Sequence, residues 1–173
     1  ISSYKTSHDV TVDLRPGAHS HLGVKSNYIT APNQLTISHG SDIENVFTDK
    51  GDDTVIGTDS DNVIETGSGS DTIFAGGGSD IIKSGTGTDR IDLSEAVQSR
   101  DTVTLNATLT GLGFDTIYGF SQGVFGDILD LSAILTSVSE LFPLVVSWSA
   151  PTANFGGGIL RVVGSDVSNP GDL

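Results

Sequence analysis

The sequence contains no cysteine. Disulfides and thiolate metal sites are thereby excluded, and any cation that staples the fold must be held by oxygen. Methionine is also absent, and the chain starts at Ile1, as expected of a processed piece or cloned segment of a longer protein. Basic residues are scarce: 8 Lys and Arg stand against 22 Asp and Glu, a formal net charge of −14. That charge repels phosphate backbones and anionic headgroups at moderate salt, so neither nucleic acid nor a membrane surface is expected as a partner. No run approaches the roughly 18 apolar residues of a spanning helix, and no basic, apolar signal opens the chain, so membrane insertion is not expected. A Cys-free, acidic chain suits export from bacteria. Acidity of this degree belongs either to a solvated or disordered segment or to a fold that cations complete.

What the chain does contain is a nine-residue period. From Thr48 it divides without a register slip into TDKGDDTVI, GTDSDNVIE, TGSGSDTIF, AGGGSDIIK and SGTGTDRID. The sixth positions are Asp53, Asn62, Asp71, Asp80 and Asp89, and the eighth are Val55, Ile64, Ile73, Ile82 and Ile91. An imperfect unit, HGSDIENVF, precedes them and puts Glu44 and Val46 in the same two columns. A Gly- and Asp-rich flexible linker has no reason to hold apolar residues at one phase, whereas a solenoid of short strands requires it. Residues after each sixth position have strand character, and the eighth-position side chain points inward. Two units complete one coil, so each unit stacks on the one eighteen residues later. The expected fold is all-β, a parallel β-roll.

The flanks read as caps, which a solenoid needs because an open end exposes strand edges and core. Residues 1–38 form an N-terminal β cap: Val10, Val12 and Leu14 alternate with polar residues, as do Leu35 and Ile37, and the intervening stretch with Pro16, Gly17, Gly23 and Pro32 reads as a long loop. The roll occupies 39–92, and 93–173 form a C-terminal cap of strands and short helix. There Ser94 is placed to cap a short helix SEAVQS, and Asp101 to Leu109 reads as a strand. Ile134, Leu135, Val138, Leu141 and Phe142 share one helical face ahead of Pro143. LVVSWS and ILRVV, joined through Gly156, Gly157 and Gly158, read as a hairpin.

Calcium takes six to eight oxygen ligands, more than one carboxylate per turn supplies, so backbone carbonyls must contribute. Glycines at the second and fourth positions, Gly67 and Gly69, Gly76 and Gly78, Gly85 and Gly87, together with Gly51, allow the turns to aim carbonyls at one point. Ions between stacked turns would pair Asp53 with Asp71 and Asp71 with Asp89 on one edge. On the other they would pair Glu44 with Asn62 and Asn62 with Asp80. Asp71, belonging to two such sites, is expected to be the most sensitive position. The Asn62 edge, one carboxylate short, is expected to bind more weakly unless Asp59 or Asp61 compensates. An EF-hand fits poorly, since its twelve-residue loop ends in a bidentate Glu between helices.

TGSGSDTIF and AGGGSDIIK resemble the Gly-Gly-x-Gly-x-Asp-x-apolar-x nonapeptide of repeats-in-toxin (RTX) proteins. Asp42-Ile43-Glu44-Asn45 is similar to the Ile-Glu-Asn opening of the roll in serralysin-type proteases, and DTIYGFSQGVFGDILDLS, from Asp115 to Ser132, is similar to the segment that closes those domains. The resemblance implies several bound calcium ions, folding after export, and a C-terminal region adjoining a signal read by type I secretion machinery. It implies a secreted, extracellular or bacterial cell-surface location. Asp42 and Asp115 join the expected metal set. Asp49 and Thr58 stand where the motif has its second Gly, Ser60 where it has the fourth, and Asn62 where it has Asp. Asp115, Asp127 and Asp130 either bind a further ion or face solvent.

Other chemistry finds little support. His19 and His21 lack a His-Glu-x-x-His helix and read as solvated loop residues. No Gly-x-Ser-x-Gly elbow frames a nucleophile, and Gly76 to Gly78 are not followed by the Lys-Ser/Thr of a phosphate loop. The expected function is a non-enzymatic calcium-binding module, monomeric in isolation, from the C-terminal part of a large extracellular adhesin. The alternatives are an accessory domain of a secreted serralysin-like protease or lipase, or a polysaccharide-binding module like those of alginate epimerases.

Overall fold

The computed structural model describes residues 1, 8–28, 30–105, 114–122, 126–132, 144–149 and 158–164. Each nonapeptide ends in a three-residue stretch with a β-branched residue at its centre, which suits a short strand with one buried side chain. The first strands are β1 (Val10–Asp13), β2 (His19–Leu22), β3 (Gln34–Thr36) and β4 (Asn45–Phe47). Through the repeats follow β5 (Thr54–Ile56), β6 (Val63–Glu65), β7 (Ser68–Gly69), β8 (Thr72–Phe74), β9 (Ile81–Lys83), β10 (Thr86–Gly87) and β11 (Arg90–Asp92). Beyond them lie β12 (Thr102–Thr104), β13 (Phe114–Phe120), β14 (Ile128–Asp130), β15 (Leu144–Ser149) and β16 (Gly158–Gly164).

Strands eighteen residues apart stack in parallel. Val55 pairs with Ile73 and Ile73 with Ile91 in one sheet, while Val46 pairs with Ile64 and Ile64 with Ile82 in the other. Successive units therefore alternate between two walls, and their eighth positions meet in the middle. Val46, Val55, Ile64, Ile73, Ile82 and Ile91 are all completely buried in one cluster. Each such side chain contributes about 1.5–3 kcal/mol relative to exposure. The roll is thus built on a single file of aliphatic residues per wall.

The stacking does not stop at residue 92. Val103 of β12 lies on Ile82, Leu129 of β14 on Val103, and Ile117 of β13 on Ile91, all parallel. At the other end β1 lies on β5, with Val12 opposite Val55. One wall is a nine-stranded sheet in the order β15-β16-β13-β11-β8-β5-β1-β2-β3, and the other a five-stranded sheet, β14-β12-β9-β6-β4. Both flanks extend these walls.

Two expectations change. The stretch read as a long loop contains β2, which pairs antiparallel with β1 and β3. Its buried Ser20 takes the N–H of Asp13 at 2.8 Å, so the strand is held by neighbours rather than by an apolar pattern. SEAVQS is not helical: the Ser94 N–H bonds back to Asp92 Oδ1 at 3.1 Å, and Glu95 Oε1 accepts the Ser99 N–H. Six residues whose one large apolar side chain, Val97, is 79% exposed cannot offset helix nucleation. The terminal hairpin is present as antiparallel β15 and β16. The helix expected over 132–142 lies, beyond Ser132, outside the described residues.

Candidate metal centre

Each sixth position ends a turn and immediately precedes a strand, so the stacking that aligns the core also aligns these carboxylates. They form a ladder of side chain to backbone bonds. On one edge the Asp53 N–H donates to Asp71 Oδ1 at 2.8 Å, Asp71 N–H to Asp89 Oδ1 at 3.0 Å, and Asp89 N–H to Asp115 Oδ1 at 3.0 Å. Val10 N–H caps the series on Asp53 Oδ1 at 2.8 Å. On the other edge Asn62 N–H donates to Asp80 Oδ1 at 2.7 Å, Asp80 N–H to Asp101 Oδ1 at 2.9 Å, and Asp101 N–H to Asp127 Oδ1 at 3.0 Å.

The turns between the rungs pack backbone on backbone. Ser68 N–H donates to the Asp49 carbonyl and Thr86 N–H to the Gly67 carbonyl, each at 2.8 Å. Gly87, at φ 137°, shows why the motif needs glycine: a β-carbon there would be driven into the carbonyl of Gly69 in the turn above. Alternate turns thus bring their carbonyl-bearing segments into direct contact. An oxygen with two lone pairs that accepts one N–H keeps capacity for a cation.

The ladder leaves one oxygen of each repeat aspartate unsatisfied, whereas Asp127 Oδ2, at its end, accepts the N–H of Ser121 at 2.7 Å. Asp53, Asp71, Asp80 and Asp89 are at most 2% exposed, and Oδ2 of each is buried without a hydrogen-bond partner. Burial, reinforced by neighbouring like charges, raises their affinity for protons: Asp71 is pushed up to about 7, Asp80 to about 8 and Asp89 to about 6. Asp101 rises to about 7 for the same reason, and Asp53 and Asp115 also shift upward through burial. Stacked, desolvated carboxylates of one sign demand either protons or a cation. Among the described residues no three His, Asp or Glu side chains converge as a metal-binding group. A hard ion on this edge would therefore take backbone carbonyls beside the free Oδ2 atoms, which fits the oxygen chemistry of calcium.

The expected site residues divide accordingly. Asp53, Asp71, Asp80, Asp89 and Asp115 are brought into the ladder. Asp49, Gly51, Gly67, Gly69, Gly85 and Gly87 lie in the stacked turns of one edge, and Thr58, Ser60, Gly76 and Gly78 in those of the other. Asp42 and Glu44 are exposed, and Glu44 meets Asn62 through its carbonyl. Asp127 lies in the ladder, whereas Asp130 accepts the N–H of Ser132 outside it. His19 and His21 lie on β2, with His19 Nε2 2.8 Å from Gln34 Oε1. Asp101, like Asp115 and Asp127, lies beyond the nine-residue period, and it is the rung that the sequence did not single out. The Asp-x-apolar triplet, in Asp101-Thr102-Val103, Asp115-Thr116-Ile117 and Asp127-Ile128-Leu129, marks all three later rungs.

A parallel β-solenoid whose turns carry buried, half-satisfied carboxylates at Asp53, Asp71, Asp80 and Asp89 defines a calcium-binding β-roll. Residues 40–73 and 56–91 match the model of the RTX calcium-binding nonapeptide repeat, and the chain accordingly carries an RTX calcium-binding domain. No curated protein matches the sequence.

Proposed function

We propose that this is a non-enzymatic module that folds around calcium after export by type I secretion machinery, in the C-terminal part of a large extracellular bacterial adhesin. The observation that carries the folding step is the set of buried Oδ2 atoms on Asp53, Asp71, Asp80 and Asp89. Without a cation, stacking these carboxylates costs desolvation and repulsion at neutral pH, while short strands bury little to offset chain entropy. At low cytosolic calcium the chain stays extended and exportable. Calcium outside drives folding by mass action, because it binds the ordered turns preferentially.

The Asp53, Asp71 and Asp89 edge supplies the principal sites. Export is supported by the likeness of residues 42–45 and 115–132 to the exported serralysin-type domains, and the adhesin parent is favoured over a protease by the absence of a catalytic motif in this sequence. Among the described residues no helix is long and apolar enough to cross a membrane. A calcium titration followed by circular dichroism tests the proposal: a cooperative gain of β signal is expected. Identical spectra in chelator and in ~5 mM calcium would sink it.

A further inference from the structure

The rungs of the ladder are not equivalent, and Asn62 is where they part. Asp53, Asp71 and Asp80 each offer Oδ1 to an N–H of the preceding turn and keep a buried, unpartnered Oδ2. The Asn62 side chain turns into its own loop instead. Its Oδ1 accepts the Thr58 N–H at 2.8 Å and lies 3.4 Å from Thr58 Oγ1. Its Nδ2 lies 3.3 Å from both Thr58 Oγ1 and the Glu44 carbonyl, and Thr58 Oγ1 accepts the Ser60 N–H at 3.1 Å. The amide is neutral and is satisfied by protein groups alone.

The surroundings of this gap agree. Glu44 is exposed, and Asp61 accepts the N–H of Ser79 at 2.7 Å. Thr58 and Ser60 occupy the glycine positions of the motif, and neither adopts the positive φ seen at Gly67, Gly69, Gly76 and Gly78. Calcium needs six to eight oxygens converging on one point. Between Glu44 and Asn62 the side-chain amide supplies what the ion would otherwise supply.

We infer that the turn 57–62 closes without calcium, that the gap between Glu44 and Asn62 binds no ion, and that this turn is the cation-independent nucleus on which the other turns assemble. The inference rests on the calcium-folding reading above. Loop closure in this unit is offset locally by side chain to backbone bonds. Ile64 follows two residues after Asn62 and stacks between Val46 and Ile82, so the closed turn delivers a core residue.

Hydrogen exchange of the full chain, read turn by turn, tests this. In chelator the Thr58 and Ser60 amides are expected to exchange about tenfold more slowly than those of residues 67–71, and to respond least when calcium is added. Equal exchange of the two turns in chelator overturns the inference. Native mass spectrometry provides a second readout: the double variant Thr58→Gly, Asn62→Asp is expected to bind one calcium more than the parent chain, and an unchanged count also overturns it. Should that variant fail to fold, exchange in the parent chain still decides. Calcium-dependent protection over 66–89 with the same response at 57–62 refutes the nucleus alone. Calcium having no effect anywhere refutes the folding reading and the nucleus together.

Discussion

The backbone N–H of Asp71 donates to Oδ1 of Asp89 across 3.0 Å and eighteen residues of sequence. The same bond joins Asp53 to Asp71 before it and Asp89 to Asp115 after it. Asp71 and Asp89 each have a carboxylate on both sides along the roll. Asp53 has one on one side and Val10 on the other.

Asp71→Ala and Asp89→Ala are therefore expected to raise the calcium midpoint of folding by similar factors, each costing the folded state about 1.5–3 kcal/mol. Asp53→Ala should have the smaller effect. The nonapeptides alone single out Asp71, and it is the rung at Asp115 that makes Asp89 its equal. Calcium titrations of the three variants by circular dichroism check the ranking, and an Asp53→Ala shift as large as the others would contradict it.

The calcium-free protein should be more stable in acid than at neutral pH. Asp71, Asp80 and Asp101 hold protons up to about 7, 8 and 7 in the folded chain, against about 3.9 for an unfolded Asp. The folded state binds more protons between those values, so stability is fully present below about pH 3.9 and is lost progressively as pH rises toward 8. Calcium competes with the same protons, so its affinity should rise over the upper part of that window. Denaturant melts in chelator at pH 5 and pH 8 test the sign, and greater stability at pH 8 would refute it.

Gly87→Ala is expected to destabilise the calcium-loaded fold by more than about 1 kcal/mol, because the turn demands a positive φ and the added carbon meets the Gly69 carbonyl. Gly77→Ala is the control. There the new carbon would lie 3.7 Å from the nearest atoms of Asp59, an ordinary contact. Its effect should fall within about 0.5 kcal/mol. Denaturation midpoints in saturating calcium distinguish the two.

Asp101→Ala should behave like the loss of a repeat aspartate, although it lies outside the nonapeptides. It is 2% exposed, accepts the N–H of Asp80 and donates its own to Asp127. Asp130→Ala removes local bonds to Ser132, the backbone one at 2.9 Å, and should leave the calcium midpoint unchanged. Equal effects from both substitutions would mean that the ladder ends with the repeats.

The walls of the roll were legible because the same period fixes both the buried column and the stacking offset. Val55, Ile73 and Ile91 recur at eighteen-residue intervals and pair as that spacing requires. Asp101 was hidden because the chain takes 21 residues to return from Asp80, and Asp115 follows Asp89 by 26. Strand β2 escaped because its buried position is Ser20, a polar residue whose hydroxyl is satisfied only once β1 is beside it. Leu35 misled in the opposite sense: alternation points it inward, but β3 is an edge strand and the side chain is 43% exposed. The Asn62 amide occupies the predicted column, yet its orientation depends on Thr58, which composition alone does not reveal.

The parallel stacking has a mechanical meaning. Rungs such as Asp53 to Asp71 run along the roll axis, so a pull on the ends of the stack loads them in series, and turns should detach one at a time from an end. Each coil that leaves would release eighteen residues, about 60 Å of extended chain. A single-molecule force trace would then show regularly spaced steps, with their height set by the ion concentration.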